Sequence, residues 1–499
     1  MAGWAAKNSV VVLLAACAYA IKLMASASPS MEDGFESCEN IVQSWADSSY
    51  ASDDEIEAKQ LRSLHDFLFF LHVPRTGGFA LTKCLLMQLY HDKVCPITCD
   101  MQGWDSRKPK CRVHNAHGDY SLLSKLPKKR TSVVTMVRHP LDRVISIYEL
   151  STVRAARYLL YPNMTSATEA AERQCYERPH DVCLLDMWPF KHLMPRLAVE
   201  LFARRDARRN QSMMSEEINP YNINQIAMPL HDFVNDPLVH ELVHNAITLQ
   251  VAGLTEKSCL EESHAIRHCL RMHPSLGNYV CDVAKKRLDK MFFVGLTEKH
   301  RESMEMFAQS IEVELQSLTT TSQGNDASDN DTEKNSSLTD VEIEKFNIQQ
   351  NLFTAKYGQK FLLGNPNTSN GNMTVEKLME AYDACAPRLQ ELRTFEYTHF
   401  LKEVYPINFS KKARKQIQDS IIQQILLFNK LDIELHKHAE AIFKQQHERL
   451  KQRLNKVVSQ KVSSTSNWLS KKVVAGTVLL SILALLLYAQ QARSKLKDN

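Results

Sequence analysis

Two short apolar runs, FLFFLHV (67–73) and SVVTMV (132–137), break an otherwise mixed hydrophobic pattern. Both are rich in β-formers and bounded by turn-forming or charged residues, which reads as strands buried on both faces. Each leads into a segment with helical spacing, the rhythm of a parallel sheet joined by crossover helices. MFFVGL (291–296) is a third candidate strand, and residues 410–460 carry a long helical periodicity with few breakers. The expected fold is α/β, a parallel sheet flanked by helices with a long C-terminal helix.

The polar stretches set the expected boundaries. Residues 29–65 are acidic and polar and read as a stem, and residues 316–341 have almost no large apolar side chains. That segment cannot repay its ordering entropy and is expected to be a disordered insertion in a folded domain spanning 66–460. At the start, Lys7, the run VVVLLAACAYAI (10–21) and the small residues of ASASPS follow the order of a signal peptide over residues 1–28. An uncleaved signal anchor is the alternative, with Lys22 interrupting the run. Residues 473–489 are an unbroken apolar run, expected to be a transmembrane helix followed by a basic cytosolic tail at 490–499. Lys495 and Lys497 in that tail resemble a dilysine retrieval signal.

Seven Asn-x-Ser/Thr sequons lie between the two hydrophobic segments, at Asn163, Asn210, Asn330, Asn335, Asn367, Asn372 and Asn408. Together they point to a luminal, glycosylated domain on a Golgi or ER membrane. Of 12 cysteines, Cys17 falls in the first apolar run. Most of the others are expected in disulfides, with at least one odd thiol. A hydrophobic content of 44% supports a sizeable core, and a net charge of +4 identifies no polyanionic partner. Nothing in this balance calls for a nucleic-acid partner.

With only 14 glycines in 499 residues, the pair Gly77-Gly78 after the first strand asks for a reason. Strand, glycine turn and helix start make an anion site: backbone N–H groups face inward, the helix dipole adds positive charge, and Arg75 and Thr76 supply a cation and a hydroxyl. The Walker A pattern G-x-x-x-x-G-K-[ST] is absent, which disfavours a nucleotide kinase. The second strand runs into VRHPLDRVISIYEL (137–150), placing Arg138, Pro140, Arg143, Ser146 and Tyr148 in fixed order. Arg138 at a strand end and Ser146 on the next helix can converge on one phosphate.

PRTGG and R-x-P-x-x-R-x-x-S-x-Y, in this order, resemble the nucleotide-binding pair of the Golgi carbohydrate sulfotransferases that use 3′-phosphoadenosine 5′-phosphosulfate. HGDYSLL (117–123), MFFVGLTEKHRESMEMF, NAITLQVAGL (245–254) and FNKLDIELHKHAEAIF (428–443) are similar to segments of the heparan sulfate 6-O-sulfotransferases. The resemblance covers residues 66–445 outside the insertion. It implies a P-loop-like fold and transfer of a sulfonate group to a hydroxyl of a polysaccharide or glycan. Arg75 and the backbone of Thr76, Gly77, Gly78 and Phe79 would hold the phosphosulfate, and Arg138 and Ser146 the 3′-phosphate. This chemistry requires no metal.

An acceptor hydroxyl needs a general base, and histidine suits it. His72, His114 and His117 are candidates, and the resemblance favours His117. Cys95, Cys99, Cys111 and His114 could instead form a Cys₃His zinc site, with disulfides the competing reading. Arg75 stands where the resembled family usually has lysine, and Phe79 where it has Ser or Thr. These departures leave a second expectation, a catalytically weak or inactive glycan-binding membrane protein on the same fold.

Overall fold

The computed structural model describes residues 31–54, 64–65, 67–90, 95, 112–127, 130–169, 188–208, 219–222, 228–322, 374–404, 409–456 and 477. The chain divides into two compact units, residues 1–308 with 328–443 and residues 309–327 with 444–499. The second is helical at 309–322 and 444–456. The sheet and the candidate site belong to the first.

Four strands form that sheet: β1 (Phe67–Leu71), β2 (Val113–Ala116), β3 (Thr131–Val137) and β4 (Phe293–Leu296), in the order β2-β1-β3-β4. Every pairing is parallel. All residues of β1 and β3 are buried, which is why both read as continuous apolar runs and not as alternating ones. Leu71 pairs with Ala116 on one side and Thr135 on the other, and Val137 pairs with Leu296. All four strands therefore end at the same edge. The connection from β1 runs to β2 on one side and that from β3 to β4 on the other, so the winding reverses between β1 and β3, the place at the sheet edge where α/β folds bind ligands in a crevice.

β2 is the strand the sequence pattern missed. It is four residues long and carries His114 and Asn115 at its centre, so no apolar run announces it. Helix α2 follows the glycine turn over 78–90, with π geometry at Leu81–Leu86. Helix α3 (Pro140–Ala156) follows β3 and packs on the helix Phe190–Arg208.

The stem expectation fails at its first half. Met31–Asp54 form a helix, α1, that packs on the helices Ser263–Met272 and Gly277–Lys290. Val42, Trp45, Ala46 and Ser49 are buried along it, an i, i+3, i+4, i+7 stripe, and a Cys38–Cys269 disulfide pins it. Of the acidic residues that suggested a stem, Glu36 and Asp47 are exposed off this stripe, and Glu39 accepts from the Tyr279 hydroxyl at 3.3 Å. The insertion expected at 316–341 also begins later than its composition indicates, because the helix α4 (His300–Ser322) runs through its first residues. The rest of that segment lies outside the described residues, as do the expected signal segment 1–28, all of the membrane helix 473–489 except Thr477, and the tail 490–499. Among the described residues no helix is long and apolar enough to cross a membrane.

Two segments noted in the sequence dock on one another through buried polar groups. Asp432 accepts from the backbone N–H of Ile247 and Thr248 and from the Thr248 hydroxyl, at 3.2, 2.8 and 2.8 Å. Asn429 Oδ1 caps Asn245 N–H at 3.1 Å, and Asn245 Oδ1 accepts from Leu431 and Asp432 N–H. Arg143 is fully buried against this junction, donating to Val243 O at 2.8 Å and facing Asp432 at 3.8 Å. Tyr148 is buried as well, with its hydroxyl on Met228 O. Of the second sequence motif, then, Arg143 and Tyr148 are core residues, while Arg138 and Ser146 face the crevice side.

Candidate functional site

The turn between β1 and α2 is held by its carbonyl groups. Arg138 Nη1 donates to Arg75 O at 3.1 Å, and Thr297 Oγ1 to Thr76 O at 2.7 Å. His300 Nε2 lies 3.1 Å from Gly77 O, and Thr82 Oγ1 donates to Gly78 O at 2.8 Å. The donors come from the ends of β3 and β4, from α4 and from α2. In a trans peptide the next residue's N–H points opposite to the carbonyl. Four tied carbonyls therefore orient the N–H groups of Thr76, Gly77, Gly78 and Phe79, the four positions expected to hold the phosphosulfate.

The backbone there is left-handed at Arg75 (φ 69) and Gly77 (φ 84). For arginine this costs roughly 1–2 kcal/mol and persists only because the surroundings impose it. A Cβ on Gly78 would lie 2.4 Å from the His72 ring and 2.7 Å from Phe70, so only glycine fits beneath that imidazole. Phe79 has an exposed side chain, so what it brings to the turn is its backbone N–H.

The two motifs meet. Arg75 Nε donates to Ser146 Oγ at 2.9 Å, and Arg138 reaches back to the Arg75 carbonyl. Burial and the nearby Arg75 charge push the Arg138 guanidinium down to about 10. Two half-buried cations side by side repel one another unless an anion lies between them. Tied carbonyls, a glycine that a Cβ would block and paired cations fit a bisphosphorylated, anionic nucleotide.

Beside the turn lies a pair of histidines, with ring centroids of His72 and His117 4.1 Å apart. A chain of hydrogen bonds fixes the first. Thr82 spends its proton on Gly78 O, so its oxygen accepts from Asn115 Nδ2 at 2.9 Å. Asn115 Oδ1 then faces His72 Nδ1 at 3.1 Å, and that nitrogen must carry the proton. His117 is fixed more simply: its Nδ1 lies 3.1 Å from His72 O, a carbonyl that only accepts. Both imidazoles hold their proton on Nδ1, which leaves Nε2 as the acceptor. Burial, with a smaller effect of Lys257, pulls His117 down to about 4, so at ordinary pH it is neutral and its Nε2 can accept a hydrogen bond.

Gln250 donates to both His72 O (3.2 Å) and Gly118 O (2.6 Å), clasping the two histidine segments. Asp119 accepts from Thr255 N and Oγ1 at 2.8 and 2.7 Å and from Ser121, which makes the aspartate of HGDY a clamp on the 253–259 turn. Burial raises its carboxyl above the usual range.

His114 stands apart from this pair. It pairs with Phe69 in the sheet while Asn115 pairs with Phe70, and successive strand residues point to opposite faces. Burial takes His114 to about 4 as well, but on the face away from His72. The zinc alternative loses a ligand, because Cys95 is in a disulfide; Cys99 and Cys111 lie outside the described residues. Cys38–Cys269 and Cys84–Cys385 are disulfides, Cys259 and Cys281 are free thiols, and no metal-ligand cluster occurs among the described residues.

Sequence reasoning did not single out Asn115, Gln250, Thr297 or His300. Only Thr297 and His300 carried a signal, standing directly after the third candidate strand, where the first two strands already place site residues. Asn115 and Gln250 act on backbone carbonyls and a ring nitrogen brought near by folding alone.

Comparison with known proteins agrees with this geometry. Residues 61–363 match the family model described as "Sulfotransferase family". A protein-tyrosine sulfotransferase of Arabidopsis thaliana is 40% identical over 423 residues, covering 84% of this chain and 83% of that protein. Neither match carries the narrower resemblance to heparan sulfate 6-O-sulfotransferases; members of the matched family use 3′-phosphoadenosine 5′-phosphosulfate as sulfonate donor. A turn built to orient amides, two converging arginines and matches over most of the chain have one common account: this chain belongs to the sulfotransferase family.

Proposed function

We propose that the chain transfers a sulfonate group from 3′-phosphoadenosine 5′-phosphosulfate to the phenolic hydroxyl of tyrosine in a protein. The observation that carries the acceptor is the extensive identity to a protein-tyrosine sulfotransferase. Arg75 and the N–H groups of Thr76 to Phe79 hold the phosphosulfate and the charge that develops on the leaving phosphate, and Arg138 and Ser146 hold the 3′-phosphate. The donor, when bound, supplies an activated sulfonate. The acceptor oxygen forms the new S–O bond as the phosphosulfate S–O bond breaks, and the phenolic proton passes to His117 Nε2.

The chemistry of the base favours a phenol over a sugar hydroxyl. An imidazole held at about 4 is a weak base. A phenol titrates near 10 and gives up its proton several units more readily than an alcohol. Sulfonate transfer to a glycan, expected from the motif resemblance, asks more of the same histidine. The disulfides and sequons suit a luminal active site in the early secretory pathway, with the C-terminal apolar segment as its anchor.

The test is incorporation of radiolabelled sulfonate by the full chain into a tyrosine-containing peptide, its phenylalanine counterpart and desulfated heparan sulfate. Label on the tyrosine peptide alone supports the reading. Label on the polysaccharide with none on the peptide overturns it in favour of a glycan acceptor.

A further inference from the structure

Besides the backbone N–H of Ala80 at the helix start, the carbonyl of Gly77 meets a side chain from a part of the chain that carries no nucleotide motif. His300, the first residue of α4, sets Nε2 3.1 Å from Gly77 O and Nδ1 2.7 Å from the Tyr382 hydroxyl. A carbonyl only accepts, so Nε2 carries the proton. Nδ1 is then the acceptor and the Tyr382 hydroxyl its donor. The phenol thereby selects the one tautomer that can hold the turn; the other would set a lone pair against the carbonyl. The fit is close, since a Cβ on Gly77 would lie 2.6 Å from the His300 ring.

Tyr382 is buried on a helix, α5 (Val375–Val404), that is fastened to the same region twice more. Cys385 is disulfide-bonded to Cys84 in α2, six residues after Gly78. Asp383 takes two hydrogen bonds from Arg301, at 3.1 and 2.8 Å. Residues 382, 383 and 385 thus fix α5 against both the helix that follows the glycine turn and the start of α4.

We propose that His300 and Tyr382 are positioning residues for the donor loop, with the Cys84–Cys385 bond keeping Tyr382 in reach. Holding the Gly77 carbonyl holds the whole Gly77–Gly78 peptide, and with it the Gly78 N–H that meets the phosphosulfate. The same carbonyl accepts from the backbone N–H groups of Ala80 and Leu81, at 3.1 and 3.5 Å, so loss of the side-chain tie loosens the peptide and widens the range of its N–H direction without freeing it. The proposal rests on the donor-site reading and is independent of the acceptor.

The test measures binding of 3′-phosphoadenosine 5′-phosphate to the full chain by calorimetry. Tyr382→Phe removes one hydroxyl and is expected to weaken binding about five- to tenfold, with the acceptor KM and the melting temperature unchanged. His300→Gln can donate an amide N–H to Gly77 O with no tautomer to select, so it retains affinity, and Tyr382→Phe added to it has no further effect. Cys385→Ser weakens binding in the same direction. Wild-type affinity in Tyr382→Phe would overturn the proposal, as would an undiminished loss in the His300→Gln background. A wild-type chain that failed to bind the nucleotide would overturn the donor reading, and this proposal with it.

Discussion

Arg75 Nε donates to Ser146 Oγ at 2.9 Å, joining the glycine turn after β1 to the helix after β3. With Arg138 bonded to the Arg75 carbonyl, the two nucleotide motifs brace one another before any ligand arrives. Arg138 supports the loop through the Arg75 carbonyl, and a binding experiment can separate that from the 3′-phosphate contact proposed for it. Arg138→Ala should cost about 1.5–3 kcal/mol in binding a 3′-phosphorylated nucleotide, the worth of a charge-assisted contact. A nucleotide lacking the 3′-phosphate should lose only the loop support, about 0.5–1.5 kcal/mol. Equal losses on the two nucleotides would show that Arg138 supports the loop and nothing more.

His117→Ala should lower turnover by a factor on the order of 10²–10⁴ while donor affinity stays near that of the wild type. His114→Ala, on the other face of the sheet, should lower stability and leave turnover per folded molecule largely intact. Steady-state rates corrected for the folded fraction decide the matter. Turnover that survives in His117→Ala and vanishes in His114→Ala would reverse the assignment.

Gly78→Ala tests the close approach of the turn and His72. The added methyl would need to occupy space 2.4 Å from the imidazole, so either the ring or the turn must shift. We expect weaker donor binding and slower turnover together, with overpacking costing roughly 1–3 kcal/mol of stability. An enzyme with unchanged donor affinity and rate would show that the turn has slack.

Acid should destabilise the fold in a defined window. His114, His117 and His244 are each held at about 4 by burial, below the ordinary 6.5. The unfolded chain takes up protons at these positions below about pH 6.5, while the folded chain resists until about pH 4. Their contribution is fully present above that window and is lost as pH falls through it, by up to about 3 kcal/mol each. His244 shows why: its Nε2 donates to Val234 O and its Nδ1 accepts from Asn429, so a second proton has no place. Urea midpoints should fall between pH 7 and about pH 4.5, and His244→Gln should flatten the slope. A constant midpoint would contradict the burial argument.

Much of the candidate site was legible in the chain. β1 and β3 are buried on both faces, so their residues form uninterrupted apolar runs, and Gly77 and Gly78 mark a turn that excludes side chains. Arg138 and Ser146 stand at fixed offsets from the second run because a strand end and a helix start fix their reach. The family followed from those residues, whereas the heparan sulfate narrowing drew on segments that mix one candidate site residue, His117, with residues the fold uses for support. Asp119 clamps a turn, and Asp432 and Asn429 cap another helix.

Other features were decided only by tertiary structure. β2 has polar residues at its centre, Asn115 toward His72 and His114 on the opposite face, and a strand without an apolar run gives no periodic signal. The acidic residues of α1 hid a buried stripe whose partner helices lie more than 200 residues away in sequence. Arg138 and Arg143 belong to one motif, yet one meets the donor loop and the other is sealed in the core beside Asp432. The tautomers of His72 and His117 depend on Asn115, Thr82 and a backbone carbonyl, none of which a linear pattern brings together. Sequence records which groups can accept or donate; which proton sits where is settled by partners that only folding supplies.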